Sequence, residues 1–305
     1  MKRRIWQTVL PLALVIISST AAAAQGLTIY NTIENPLAGN YFSQPFAAQQ
    51  VSEFGDRAAF SIAGTKANTV TVTMSSWACQ TGHWTTGCVT ASGATFTHPI
   101  TINIYNVGPG NSVGSLIATR TETKTIPYRP SSDFANCGNA RWYDGANCFN
   151  GYAANVSFDF SSLNATLPSQ VIVGIAYNTS FHGYSPVGPQ PCTATTEGCP
   201  YDSLNVAVVD PADTLTAGSN PAPDDAYFNT ITAFWYCDGG TGGVGTFRLD
   251  AGCWTGFKPS MKITANNVPT SKNDCKGDGW QTRTNAAGQP FPNQGQCIQY
   301  VNTGK

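Results

Sequence analysis

Glu53 and Asp56 are the one close Glu–Asp pair in the body of this 305-residue chain. Two carboxylates about 5–10 Å apart are the apparatus of glycoside hydrolysis, one acting as acid and the other as base or nucleophile. Positions three apart on a regular strand face opposite sides, so Glu53 and Asp56 converge only if Gly55 bends the chain between them. Without that bend, Asp56 reads as a turn residue and Glu53 as part of a solvated face. The same two side chains are calcium candidates, since that ion takes about six to eight oxygens including carboxylates. A second acidic loop holds Asp210, Asp213, Asp224 and Asp225. Asp beside Pro, as in Asp210-Pro211 and Pro223-Asp224, is turn chemistry and explains that loop without a metal. Calcium is the only cofactor the composition suggests.

Nucleophilic catalysis has less material. There is no G-x-S-x-G, and the nearest stretch, Gly183-Tyr184-Ser185-Pro186, puts Pro where a nucleophile elbow would continue into a helix. His182 is adjacent in sequence, which does not build a triad. His98, before Pro99, reads as a boundary residue at a strand entrance.

The aromatic residues are the better lead. Trp84 falls between Cys79 and Cys88, Trp142 and Tyr143 fall between Cys137 and Cys148, and Trp254 follows Cys253. Loops fixed by disulfides can hold rings rigidly at one end of a β-sandwich, and sugar rings stack their apolar faces on such platforms. The alternative is a Trp folded over its own disulfide as a local core. Trp77 and Trp235 continue strand patterns and are expected in the main core.

These loops need a scaffold, and the cysteines indicate its kind. All ten lie beyond the leader and fall into neighbouring couples: Cys79 with Cys88, Cys137 with Cys148, Cys192 with Cys199, Cys237 with Cys253, and Cys275 with Cys297. Sequence alone does not choose among pairings. Sequential pairing is expected because each couple brackets a Gly-, Asn- or Thr-rich stretch between strand-like segments. The spacings are too wide for the clustered ligands of a zinc site, so structural disulfides are the reading.

Between the staples, period-two alternation dominates. Val70, Val72 and Met74 alternate with Thr69, Thr71 and Thr73. Ile100, Ile102 and Ile104 alternate with Thr101, Asn103 and Tyr105, and Val156, Phe158 and Phe160 with Ser157, Asp159 and Ser161. Val171–Ala176 is apolar almost throughout, as in a strand covered on both faces. Further strands are expected at Leu27–Asn31, Ala58–Ile62, Leu116–Thr125, Leu204–Val208, Thr230–Tyr236 and Ser260–Thr264. Leu116–Thr125 is polar on both faces at its end and suits a solvated edge strand. No segment of ten residues carries a convincing helical stripe. The fold class is therefore all-β: a two-layer antiparallel β-sandwich, jelly-roll-like, with disulfide-stapled loops and a small irregular C-terminal tail.

Residues 1–24 read as a signal peptide, with Lys2, Arg3 and Arg4 before a short apolar run and Ala21–Ala24 at the cleavage site. Residues 25–270 form the sandwich domain, and 271–305 a Cys-stapled tail. Only 11% of residues are charged, and no patch of Lys or Arg suits a nucleic acid. No apolar run of spanning length remains after the leader.

Two stretches carry a resemblance. Asn273-Asp274-Cys275-Lys276-Gly277-Asp278-Gly279-Trp280 with Asn293-Gln294-Gly295-Gln296-Cys297 is similar to a short motif at the C-terminus of many secreted bacterial proteins. The body resembles secreted bacterial β-sandwich proteins of the choice-of-anchor kind. That similarity rests on Ser52-Glu53-Phe54-Gly55-Asp56, Thr71–Trp77, Leu167–Thr179 and Pro200-Tyr201-Asp202-Ser203-Leu204-Asn205. It implies the fold and export, and no activity; the anchor usual in that group is missing.

The expectation is a secreted, non-catalytic binding module whose partner is an extracellular polysaccharide or envelope component. The rivals are a polysaccharide-active hydrolase or lyase using Glu53 and Asp56, and a structural envelope or matrix component.

Overall fold

Thr–Val alternation produces strands that bury one face and hydrogen-bond along the other, and the chain uses this device repeatedly. A computed structural model describes residues 26–179, 200–251, 256–286 and 288–305. The chain begins with β1 (Leu27–Asn31), β2 (Phe42–Pro45), β3 (Val51–Ala59) and β4 (Lys66–Ser76). A small hairpin, β5 (Thr81–His83) and β6 (Gly87–Val89), precedes the long β7 (Thr95–Val107) and β8 (Val113–Pro127). The short helix α1 (Phe134–Cys137) leads to a second small hairpin, β9 (Trp142–Tyr143) and β10 (Cys148–Phe149). Then come β11 (Tyr152–Asp159), β12 (Gln170–Ala176), β13 (Leu204–Val209), α2 (Pro211–Thr214) and β14 (Asp225–Thr230). The chain continues through β15 (Arg248–Ala251), β16 (Lys258–Pro259) and β17 (Met261–Asn266) to α3 (Gln294–Thr303).

Two large sheets result beside the two small hairpins, and every described strand pair is antiparallel. In the first, β4 pairs with β11 on one side and with β17 and β13 on the other, while β1, β2 and β16 lie outside these. The second runs β15-β14-β3-β12-β7-β8. Between them lies one apolar core, in which Val70, Val72 and Met74 of the first sheet meet Ile100, Ile102, Ile104, Val171, Val173 and Ile175 of the second. The outward threonines are used too: Thr71 bonds Ser157 at 2.8 Å, and Thr73 donates to Asn155 at 2.8 Å across the β4–β11 pair. β12 is covered on both faces, and β8 is the polar edge strand. Glu122 on β8 takes Arg120 and Lys124 and accepts from the Asp159 amide, while Lys124 donates to the Ser157 carbonyl. Those bonds tie the edges of the two sheets together.

Several elements depart from expectation. The strand placed at Ala58–Ile62 runs instead over Val51–Ala59, so Glu53 and Asp56 are interior strand residues. Thr230–Tyr236 is not a strand: it stops at Thr230, because the Tyr236 hydroxyl turns back to donate to the Thr230 carbonyl and accept from its amide. Residues Ala233–Trp235 form a 3₁₀ turn there, leaving Phe234 81% exposed. Trp235 and Trp77 are half-buried rather than core residues. His98 is not at a boundary but inside β7, buried, with Nε2 paired to the Asn178 carbonyl at 3.1 Å. A ten-residue helix, α3, was not expected; the Asn293 side chain caps its first turn and Gly304 ends it in the left-handed region.

Disulfides join Cys79–Cys88, Cys137–Cys148 and Cys275–Cys297, each to its sequence neighbour. Cys237 is also disulfide-bonded. Cys192, Cys199 and Cys253 lie outside the described residues, as do residues 1–25, His182, Ser185 and Trp254. The third bond sits in a small separate cluster with Phe291, backed by Trp280, Ile298, Tyr300 and Val301. Thr284 and Asn267 exchange hydrogen bonds and hold this tail to the end of β17.

Candidate functional site

Strand β3 separates the two carboxylates instead of pairing them. Phe54, Asp56 and Ala58 turn to the core, and Glu53, Gly55 and Arg57 to the outer face of the second sheet. This removes the rival reading of a paired acid site, since Gly55 does not bend the strand and side chains three apart point opposite ways. It also corrects the reading of a turn Asp and a solvated Glu, because both are buried inside β3. The same separation prevents Glu53 and Asp56 from sharing a calcium ion. Asp210, which was grouped with Asp213, Asp224 and Asp225, accepts the Ala212 amide at 2.9 Å as the cap of α2. Among the described residues, no group of three or more His, Cys, Asp or Glu could hold a metal.

Each carboxyl has its own setting. Glu53 is 3% exposed, and its Oε1 accepts Asn103 Nδ2 at 2.9 Å and the Tyr105 hydroxyl at 3.1 Å. Thr119 holds Asn103 in place by donating to its Oδ1 at 2.7 Å. Gly174 lies directly beneath, where any Cβ would collide with the Glu53 carboxyl. Burial pushes Glu53 up to about 7 against the pull of its two donors. Asp56 is fully buried on the core side of the strand. Burial pushes it up to about 7 as well, opposed chiefly by the buried Lys258 ammonium.

The expected platform residues are mostly packing residues. Trp142 is 5% exposed, its Nε1 donates to the Gly151 carbonyl at 2.6 Å, and its ring lies 5.1 Å from Phe149 and 5.4 Å from Tyr152. It is a local core built with Phe149 and Tyr152, so no ligand can stack on it. Trp84 is half-buried edge-on to Trp77, with ring centroids 4.9 Å apart. Tyr143 is at the surface, with its hydroxyl donating to the Gly145 carbonyl at 2.7 Å.

What these residues support is an open groove of about 870 Å³ on the first sheet. Val208 and Val209 of β13 lie along it, and Phe42 of β2 and Phe257 before β16 stand beside them. Phe42 is 76% exposed and Phe257 47%, in an edge-to-face pair at 5.6 Å and 74°. Tyr41, Trp77 and Phe149 add three more rings. Tyr41 is fixed by donating to Glu34 Oε2 and accepting the Ala38 amide, both at 3.0 Å. Trp77 donates to Ser75 Oγ at 3.1 Å, and Ser75 to Asn40 at 2.7 Å. Phe149 belongs to the hairpin closed by Cys137–Cys148 and rests on buried Trp142. Gly39 permits the Glu34–Tyr41 loop to reach it, since a Cβ there would lie 2.7 Å from the Phe149 ring.

Sequence reasoning missed Phe42, Phe149 and Phe257. A signal was present: each stands next to a strand end without a period-two apolar partner, and Phe149 directly follows a stapled Cys. Comparison with protein-family models, curated proteins and solved structures finds no match for this chain.

Proposed function

We propose that this protein is a secreted, non-catalytic β-sandwich that binds carbohydrate outside the cell or at its envelope, with the aromatic groove as its site. The observation that carries the reading is the exposed Phe42–Phe257 pair in an open groove of about 870 Å³. Clefts of this size suit ligands of a few rings. A contiguous patch of exposed rings such as this pair marks an interaction surface. Neighbouring Asn40, Ser43 and Asn150 offer hydrogen bonds to hydroxyls. The disulfides fit an oxidising compartment outside the cytoplasm.

The test is electrophoresis through gels containing neutral and charged polysaccharides. At least one should retard the protein, and Phe42→Ala with Phe257→Ala should abolish the retardation without lowering the melting temperature. Migration unchanged by every polysaccharide, together with concentration-dependent self-association, would replace this reading with the structural one.

A further inference from the structure

The groove has a charge pattern that narrows its ligand, given that it binds glycans at all. Glu34, Asp210 and Asp213 line it against a single guanidinium, Arg141. Arg141 is partly engaged already, its Nε donating to Asn139 at 2.9 Å. Asp213 and Glu34 are exposed at the surface. A second depression of about 540 Å³ continues from the first and shares Glu34, Asp213 and Thr214 with it. Its other walls mix polar Asn31, Asn35 and Thr216 with apolar Ile33 and Pro36. The two hollows thus form one elongated track, aromatic at one end and mixed polar and apolar at the other, with two carboxylates at the junction.

We propose that the ligand of this track is a linear polymer of amino sugars bearing free amines, stacked on Phe42 and Phe257 with its ammonium groups beside Glu34 and Asp213. A polyuronate would set like charges against these carboxylates, and like charges in a groove are penalised. A neutral glycan would gain nothing from their charge, since Glu34 already accepts the Tyr41 hydroxyl through Oε2 and Asp213 faces water. An extended polymer explains the continuity of the two hollows, which a single ring would not require. The aromatic pair favours sugar rings over a basic peptide, because a ring face covers an exposed phenyl more fully than a flexible alkyl amine does.

The probes are glycol chitosan, its re-acetylated form glycol chitin, polygalacturonate and poly-lysine, each cast in native gels at about pH 5, where amino-sugar amines are mostly protonated and exposed carboxyls are still ionised. Retardation by glycol chitosan should exceed that by glycol chitin about tenfold and should weaken as salt is raised. Glu34→Gln and Asp213→Asn should each weaken it about two- to fivefold, the range of exposed ion pairs. Asp278→Asn, a carboxylate remote from the groove, should change nothing, which separates a site from general attraction to a polycation. Equal retardation by chitosan and chitin would overturn the charge assignment while leaving carbohydrate binding intact. Stronger retardation by poly-lysine than by chitosan would make the ligand a basic peptide and overturn the proposal. Failure of every glycan would overturn the functional reading itself.

Discussion

Replacing Glu53 by Gln should change how the protein's stability depends on pH. The Glu53 carboxyl is 3% exposed, and burial raises it from its usual 4.5 to about 7. A carboxyl raised in the folded state contributes stability that is fully present below the unfolded value near 4.5. That contribution is lost as pH rises through about 7, because the folded protein must then hold a charge it disfavours. At about 1.4 kcal/mol per pH unit, the interval corresponds to about 3 kcal/mol. Gln keeps the carbonyl oxygen that accepts from Asn103 and Tyr105, and it cannot ionise. Denaturant unfolding of both proteins, with disulfides intact, at about pH 4 and about pH 8 reads the effect. The stability difference should move by about 3 kcal/mol in favour of the variant between these two conditions. Contributions from Asp56 and from His98, which burial pushes down to about 4, are common to both proteins and cancel. Parallel pH profiles would refute the reasoning and would mean that water reaches Glu53.

The same logic yields other outcomes. Trp142→Phe keeps the ring but orphans the Gly151 carbonyl, so stability should fall by about 1–3 kcal/mol, measured by denaturant midpoint. Cys275→Ser with Cys297→Ser opens a loop of 22 residues whose closure is worth about 3 kcal/mol in the chain-entropy model. Because that bond belongs to the tail cluster and not the main core, limited proteolysis should cut near α3 while the sandwich melts as before. Cys137→Ser with Cys148→Ser should weaken glycan retardation by freeing Phe149, since two strands of two residues each cannot hold a hairpin by themselves. An unchanged gel shift would mean that Phe149 contributes nothing to binding.

Legibility in the sequence followed the physics of each segment. Asn68–Ser75 and Ile100–Tyr105 could be read because one face meets the core and the side-chain period is two, and Val171–Ala176 because a strand covered on both faces is apolar throughout. β3 could not be read, because its sequence, Val-Ser-Glu-Phe-Gly-Asp-Arg-Ala-Ala, places an Asp inside the core and a Glu in a buried network outside it. Its central position between β14 and β12 supplies what its composition lacks: two neighbours for its backbone and cover for its polar side chains. Thr230–Tyr236 misled in the opposite direction. Its apolar run looks like a strand, yet Ile231 and Phe234 face solvent, and one hydroxyl closes the turn. The helix α3 was hidden because its weak apolar face packs on a disulfide and a Phe, a partner that exists only after Cys275 and Cys297 meet.

The candidate site was half legible for a related reason. Disulfide loops can display their tryptophans or fold them inward as a local core, and a large ring in a small hairpin is the cheapest apolar surface for neighbouring rings to pack on. Trp142 is taken in this way, and the ring it supports, Phe149, reaches the groove in its place. Trp84 and Trp77 stand in the same relation, one half-buried against the other and only Trp77 lining the groove. Trp142 thus sits one layer back as the support of Phe149, Trp84 braces Trp77 from the side, and Phe42 and Phe257 brace each other. Rigid support for each exposed ring comes from a second ring, and among the described tryptophans only Trp77 joins the phenylalanines in lining the groove.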